Sequence, residues 1–313
     1  MKSLLLFRLG GLGDLLVSFP SIYFVRRKFP SFSLTLVCRK EHGLLLKEAR
    51  VIDQVVSVDQ RRLSVLFARP ARTDSELVGW LAGFSFISGW MQKKAGLELE
   101  EFCLSSGVKN YHFFVPDPDY QGMISKFFFD KTQEFFGRDS PNPSFGECTF
   151  LCLTDKQRED GLRLLSGRLK ERLAVVHPGS GSASKCWPFN YFLEIVSRLS
   201  QKGLGGALVT GPAEEKLESE MRNISLPEGW LWLHNPSLIR LAGLLQASLI
   251  YLGNDSGITH LAAACGTNVV ALFRKNLEGY WKPSGRVSLL SADSVSSIKP
   301  DSVWQKISAI FSK

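Results

Sequence analysis

The stretch RLAVVHPGSGSASKCWPFNYFLEIVSRLSQKGLGGALVTGP, Arg172 to Pro212, decides the fold class. An apolar run, RLAVV, leads into a glycine turn at Gly179 and Gly181. The amphipathic segment NYFLEIVSRLSQK follows. Gly203 closes it, and glycine suits a helix C-cap because it accepts left-handed backbone. A second apolar run, GALVT, then ends in another turn at Gly211 and Pro212. A short apolar run, an amphipathic helix and another apolar run read as layered α/β structure.

The same alternation extends in both directions. Ser3–Phe7, SLTLVC (33–38), VVSVD (55–59) and SFISGW read as strands, with helices between them. HFFVPDPD (112–119) ends a strand in a proline-rich loop. The following helix carries Phe127, Phe128 and Phe135 near one face, expected in a core. Residues 138–147, RDSPNPSFGE, are crowded with turn formers and interrupt the pattern. After them it restarts, with Thr154 placed to cap a helix. The strands LWLHN, LIYLGND and NVVALF follow the quoted unit, and PDSVWQKISAIF reads as a last amphipathic helix. The fold class is α/β, with two Rossmann-like domains, 1–145 and 146–313, facing a central cleft. The last helix has the option of packing back on the first domain. In such parallel sheets ligands bind outside the carboxyl ends of the strands. Each glycine-rich turn in this chain lies at such an end.

Composition narrows the partners. The 313 residues are 44% hydrophobic and 22% charged, which excludes a disordered chain. A net charge of +8 points to an anionic partner or to a basic excess spread over the surface. Its densest cluster runs from Arg61 to Arg72 and includes Arg62 and Arg69. No nucleic-acid motif accompanies it. The six cysteines contain no C-x-x-C pair, and Cys148 and Cys152 lack a histidine pair nearby. They read as reduced thiols, without a metal site. Arg8 interrupts the first apolar run before a signal-peptide core forms. The longest uncharged stretch, Leu77 to Gln92, falls short of the ~18–20 residues that span a bilayer.

Four turns carry the chemistry. The first is RLGGLGDLLVSFP, Arg8 to Pro20. Gly11 and Gly13 match half of a dinucleotide fingerprint, but Leu16 stands where the third small residue belongs. Cys38 and Arg39, not an acid, close the second strand. What survives is a turn that lets a ligand approach the backbone. Asp14 is then a helix cap or a functional carboxylate. Pro20 lacks an N–H, so Ser18 is expected to cap a helix from Phe19 or Pro20, leaving Asp14 in an irregular turn.

The second turn, HPGSGSASKCWP (177–188), offers the N–H groups of Gly179, Ser180 and Gly181 to a phosphate, with Lys185 to neutralise a diphosphate. The third, TGPAEEKLE (210–218), places Glu214 and Glu215 in a first helical turn. There they either favour the helix dipole or grip ribose hydroxyls. The fourth is GNDSGITHLAAACG (253–266). Asp255 turns the corner, and the N–H groups of Ser256 and Gly257 aim at an anion at the helix start. His260 follows one turn later. A D-x-D pair, Asp117 and Asp119, lacks supporting acids and carries no metal reading.

Together these motifs resemble glycosyltransferase family 9, the ADP-heptose:lipopolysaccharide heptosyltransferases. Arg8, Gly13-Asp14 and Pro20 match its opening, His177 to Pro188 its HPGSG…K.WP block, Gly211 to Glu214 its GPAE turn, and Gly253 to Gly266 its GNDSG block. The resemblance implies a GT-B fold with the donor site on the second domain. It implies inverting transfer of heptose from ADP-heptose to the lipopolysaccharide inner core. No metal or cofactor is implied, the ADP-sugar being a substrate. The setting implied is the cytoplasm, with peripheral contact at the inner membrane. By the same resemblance, Asp14 is the general base, with Arg8, Gly11 and Gly13 on the acceptor side. Ser180, Gly181, Lys185, Asp255, Ser256 and Gly257 hold the ADP-sugar, Glu214 the ribose, and His260 the phosphate end. Two segments depart from the pattern. RKNLEGYWKP replaces the family's Gly-Pro-Thr-Asp-Pro after VVALF, and residues 60–110 give no clear match. Arg61 to Arg72 would meet acceptor phosphates. Two alternatives stand beside this reading. One is the same fold with another nucleotide-sugar or a non-lipopolysaccharide acceptor. The other is a nucleotide-sugar-binding protein without turnover.

Overall fold

The computed structural model describes residues 2–60, 63, 75–116, 119–137, 144–167, 171–214, 221 and 224–311. The chain divides into two compact units, Met1–Thr149 and Phe150–Lys313. The basic residues Arg61, Arg62, Arg69 and Arg72, Asp117, Glu215 and most of the turn-rich segment 138–147 lie outside the described residues.

In the first unit the strands are β1 (Ser3–Phe7), β2 (Ser33–Cys38), β3 (Gln54–Ser57), β4 (Phe86–Trp90) and β5 (Tyr111–Phe114). They form one parallel sheet in the order β3-β2-β1-β4-β5. Leu5, Leu6, Leu34 and Leu36 are fully buried. Central parallel strands are covered on both faces, which is why they read as unbroken apolar runs. The described helices are α1 (Leu12–Lys28), α2 (Lys40–Glu48), α3 (Ser75–Ala82), α4 (Lys93–Ser105) and α5 (Ile124–Phe136).

Helix α1 corrects the sequence reading. It runs unbroken from Leu12 with Pro20 inside, so Asp14 lies in its first turn, not in an irregular loop. Pro20 removes the N–H that would reach the Leu16 carbonyl, at a cost of about 3 kcal/mol. Every residue from Leu15 to Ile22 is buried, and that burial outweighs the loss. The phenylalanines of α5 also divide differently. Phe128 and Phe129 are in the core, Phe127 is half-buried, and Phe135 is exposed with His112 stacked on it at 4.3 Å.

The second unit holds β6 (Leu173–His177), β7 (Gly205–Thr210), β8 (Trp230–His234), β9 (Ile250–Asn254), β10 (Asn268–Arg274) and β11 (Val287–Ala292). These six strands are parallel, in the order β11-β10-β9-β6-β7-β8. Its described helices are α6 (Asp155–Leu162), α7 (Phe189–Gln201), α8 (Leu238–Ala247), α9 (Gly257–Ala264) and α10 (Pro300–Phe311). Thr154 caps α6: its hydroxyl accepts the Gln157 N–H at 3.3 Å, and Gln157 Oε1 accepts the Thr154 N–H at 2.9 Å. The last helix, α10, places Val303 and Ile307 in the core of this second unit, with Trp187, Phe192 and Leu272.

Strand order reverses direction between β1 and β4 in the first sheet and between β6 and β9 in the second. Such switch points open a crevice at the strands' carboxyl ends. The candidate site residues of each domain gather there.

Candidate functional site

In the first domain, Arg8 leaves the end of β1 and bridges its switch point. It is 4% exposed. Nη1 donates to the carbonyl of Trp90, the last residue of β4, at 2.8 Å. Nε donates to the Asp14 carbonyl at 2.7 Å, and Nη2 pairs with Asp14 Oδ1 at 3.2 Å. The guanidinium lies 5.5 Å from the Phe128 ring centroid. Asp14 Oδ2 accepts the Gly11 N–H at 2.9 Å. A carboxylate accepts about four hydrogen bonds, so each oxygen of Asp14 keeps capacity. Its side chain is 25% exposed, open to an incoming hydroxyl.

Gly11 caps α1, and Gly13 lies within its first turn. The glycine that the geometry requires is Gly10. Its φ is +114°, and a Cβ there would sit 2.5 Å from Asp14 Oδ2. Sequence reading missed it because any of three neighbouring glycines can serve a turn.

In the second domain, Asn254 organises the switch point from the end of β9. Its Nδ2 donates to the Pro178 carbonyl at 2.7 Å, and its Oδ1 accepts the Trp187 N–H at 3.0 Å. The side chain thus clasps both ends of the loop that carries Lys185. Trp187 is fixed in turn, its indole donating to the Ile298 carbonyl at 2.8 Å. Lys185 Nζ lies 2.7 Å from Asp255 Oδ2. The contact is an ion pair whose angles fall outside hydrogen-bond geometry, so this buried oxygen lacks a directed donor. The Ser180 hydroxyl donates to the Asp255 carbonyl at 2.6 Å. It braces the turn. Gly181 is exposed, and a Cβ on it would meet nothing within 4 Å.

Ser256 caps α9, accepting the Thr259 N–H at 3.4 Å, and Gly257 begins the helix. The N-terminal N–H groups of α9 therefore open at the switch point, where the helix dipole favours negative charge. His260 is buried on α9, its N–H directed at the Ser256 carbonyl at 3.4 Å.

Glu214 lies in a short 3-10 turn, Pro212–Glu214, after β7. Its Oε2 accepts the Gly211 N–H at 2.7 Å and lies 3.8 Å from His177 Nε2. Burial pushes its carboxyl up, but His177, the Gly211 N–H and His234 outweigh burial and hold it below the usual carboxylate range. A Cβ at Gly179 would sit 2.1 Å from Glu214 Cδ, so Gly179 is the floor under this side chain. The structure brings Glu214, Ser256, Ser180, Lys185 and Asp255 to one strand-end cluster. Asn254 and His177 join them. Both stand inside quoted motifs, but neither carries a visible signal for its cross-strand partners.

The geometry finds parallels among known proteins. Residues 75–298 match the family model of glycosyltransferase family 9 (heptosyltransferase). Lipopolysaccharide heptosyltransferase 3 of Escherichia coli K12 is 26% identical over 123 residues, 37% of this chain and 34% of that protein. The match thus spans about a third of the relative's length. The crystal structure of a family 9 glycosyl transferase from Veillonella parvula superposes with a TM-score of 0.78 at 15% identity, covering 99% of this chain and 97% of that one. The E. coli heptosyltransferase WaaC with ADP superposes with a TM-score of 0.71 at 16% identity, covering 99% and 100%. These likenesses agree with the GT-B arrangement of two parallel-sheet α/β domains. With a family model matched over most of its length, the chain belongs to glycosyltransferase family 9.

Proposed function

We propose that the chain transfers heptose from ADP-heptose to a lipopolysaccharide inner-core acceptor, with inversion at the anomeric carbon. The observation that carries this reading is the Lys185–Asp255 pair beside the open N-terminus of α9, at the second sheet's switch point. A lysine beside an open helix N-terminus favours an anion such as a diphosphate, which supports this reading. The E. coli relative of the same fold is described with ADP.

In this reading the acceptor hydroxyl gives its proton to Asp14 as its oxygen bonds to the anomeric carbon. The bond from that carbon to the diphosphate oxygen breaks, and ADP leaves with the electron pair. Lys185 and the N–H groups of Ser256 and Gly257 take up the developing negative charge, which requires neither metal nor cofactor. Arg8 aims Asp14. Glu214 receives the ribose hydroxyls, and His260 supports the phosphate end from within α9. Gly11 and Gly13 leave the acceptor room at the first sheet. Among the described residues no helix is long and apolar enough to cross a membrane. The reading places the reaction in the cytoplasm, the basic chain meeting the inner-membrane surface peripherally.

A second reading keeps the reaction and changes the sugar. It is favoured by the loop after β10, where RKNLEGYWKP stands in place of the Gly-Pro-Thr-Asp-Pro of the resembled family. Turnover against ADP-heptose, with UDP- and GDP-sugars as competitors and heptose-less lipopolysaccharide as acceptor, tests both. ADP release dependent on both ADP-heptose and acceptor is the expected result. Release from another nucleotide-sugar would transfer the case to the second reading.

A further inference from the structure

We propose that His177 is a positioning residue that couples the ribose end of the donor site to its diphosphate end. The inference rests on the donor reading above and adds to it a residue with no role so far. His177 is the last residue of β6 and is 4% exposed. Strand β6 lies between β7 and β9. Glu214 follows β7, and Ser256 follows β9. The imidazole spans the two: Nε2 is 3.8 Å from Glu214 Oε2, and Nδ1 is 3.4 Å from Ser256 Oγ.

One proton arrangement serves the whole chain of contacts. Nε2–H faces the Glu214 carboxylate, the Ser256 hydroxyl donates to Nδ1, and Ser256 Oγ accepts the Thr259 N–H. Beyond Ser256, Thr259 Oγ1 bonds the Asn254 carbonyl, and Tyr251 Oη lies 3.0 Å from Thr259 Oγ1. Both ends of this relay have little slack. Gly179 pins Glu214 from below, and Ser256 is fixed as the cap of α9. A rigid ring that faces both groups transmits a shift at one to the other. Ribose seating on Glu214 therefore sets the orientation of the Ser256 cap, and with it the N–H groups that face the diphosphate.

The test is a set of double-mutant cycles read by calorimetric ADP binding to the full chain. Glu214→Gln, Ser256→Ala and the double variant are compared in three backgrounds: His177, His177→Gln and His177→Asn. Glutamine restores a polar atom near the Nε2 position and asparagine one near Nδ1, so each keeps one contact and neither spans both. With His177 present, the two substitutions should be non-additive by a factor of about 5 or more in affinity. In both substituted backgrounds they should add to within about twofold. A residue that merely filled space would leave the coupling unchanged in at least one background. Coupling that persists in both, or additivity with His177 present, overturns the proposal. Should one His177 variant fail to fold, the other decides, and an additive cycle with His177 present overturns the proposal in either case. Wild-type chain that fails to bind ADP overturns the donor reading and this proposal together. ADP binding with an additive cycle overturns only the role of His177.

Discussion

Asn254 Oδ1 accepts the backbone N–H of Trp187 at 3.0 Å, joining the end of β9 to the loop that presents Lys185. The other half of the same amide holds the Pro178 carbonyl at 2.7 Å. Asn254 is fully buried, so water cannot replace either bond. Removing the side chain strands a buried donor and a buried acceptor. Asn254→Ala should lower stability by about 2–4 kcal/mol and weaken ADP binding as the Lys185 loop loosens. Asn254→Asp keeps the acceptor for Trp187 but sets an oxygen against the Pro178 carbonyl, so it should recover only part of the loss. Urea unfolding and ADP calorimetry read the two effects. An Ala variant with unchanged unfolding midpoint would contradict the clasp.

Asp14 and Arg8 separate chemistry from architecture. Asp14→Asn keeps the side-chain shape but removes the proton acceptor. Turnover should fall by about 10²–10⁴, while ADP affinity stays unchanged if, as proposed, the donor contacts lie in the second domain. Arg8→Ala takes the donors from the carbonyls of Trp90 and Asp14, both joined to a nearly buried guanidinium. It should cost stability as well as turnover. Steady-state kinetics beside thermal unfolding distinguishes the pair. Near-normal turnover in Asp14→Asn would remove Asp14 from the role of base.

How far these residues were legible in the sequence follows from what holds them. The strands were readable because parallel strands are apolar on both faces, as Leu4 to Phe7 are. Lys185 and Asp255 were readable because each stands beside a glycine turn at a strand end. The start of α1 was misplaced because Pro20 reads locally as a breaker, while the burial that overrides it is tertiary. Helix α4 went unseen because Leu97 and Leu104 are exposed and blur its apolar stripe. Strand β11 went unseen because it is an edge strand of half-buried residues. Asn254 lies 67 residues from Trp187 and 76 from Pro178. No local pattern reports bonds of that range.

Gly10 and Gly181 offer a contrast between two turn glycines. Gly10 has φ +114° and no space for a Cβ beside Asp14, whereas Gly181 has open space around it. Gly10→Ala should push the Asp14 carboxylate out of place. A displacement of that size lowers turnover by about 100-fold, and backbone strain adds a stability loss above about 1 kcal/mol. Gly181→Ala should leave stability within about 0.5 kcal/mol of wild type. Equal behaviour of the two variants in kinetics and thermal unfolding would show that Asp14 does not depend on Gly10.

Glu214 gives the acid limb of stability a predictable sign. Its carboxyl is held below the usual range in the folded chain, because His177, the Gly211 N–H and His234 outweigh burial. Between the folded and unfolded values the unfolded chain binds more protons, so stability rises with pH there. The contribution is fully present above the unfolded value of about 4.3. It is lost as pH falls through the lower folded value. Glu214→Gln has no such proton to bind. The stability gap between wild type and Glu214→Gln should therefore narrow steadily as pH falls below about 4.5. Urea unfolding of both chains across that range measures it. A gap that widens on acidification would mean that burial dominates and that His177 does not face Glu214 with a proton.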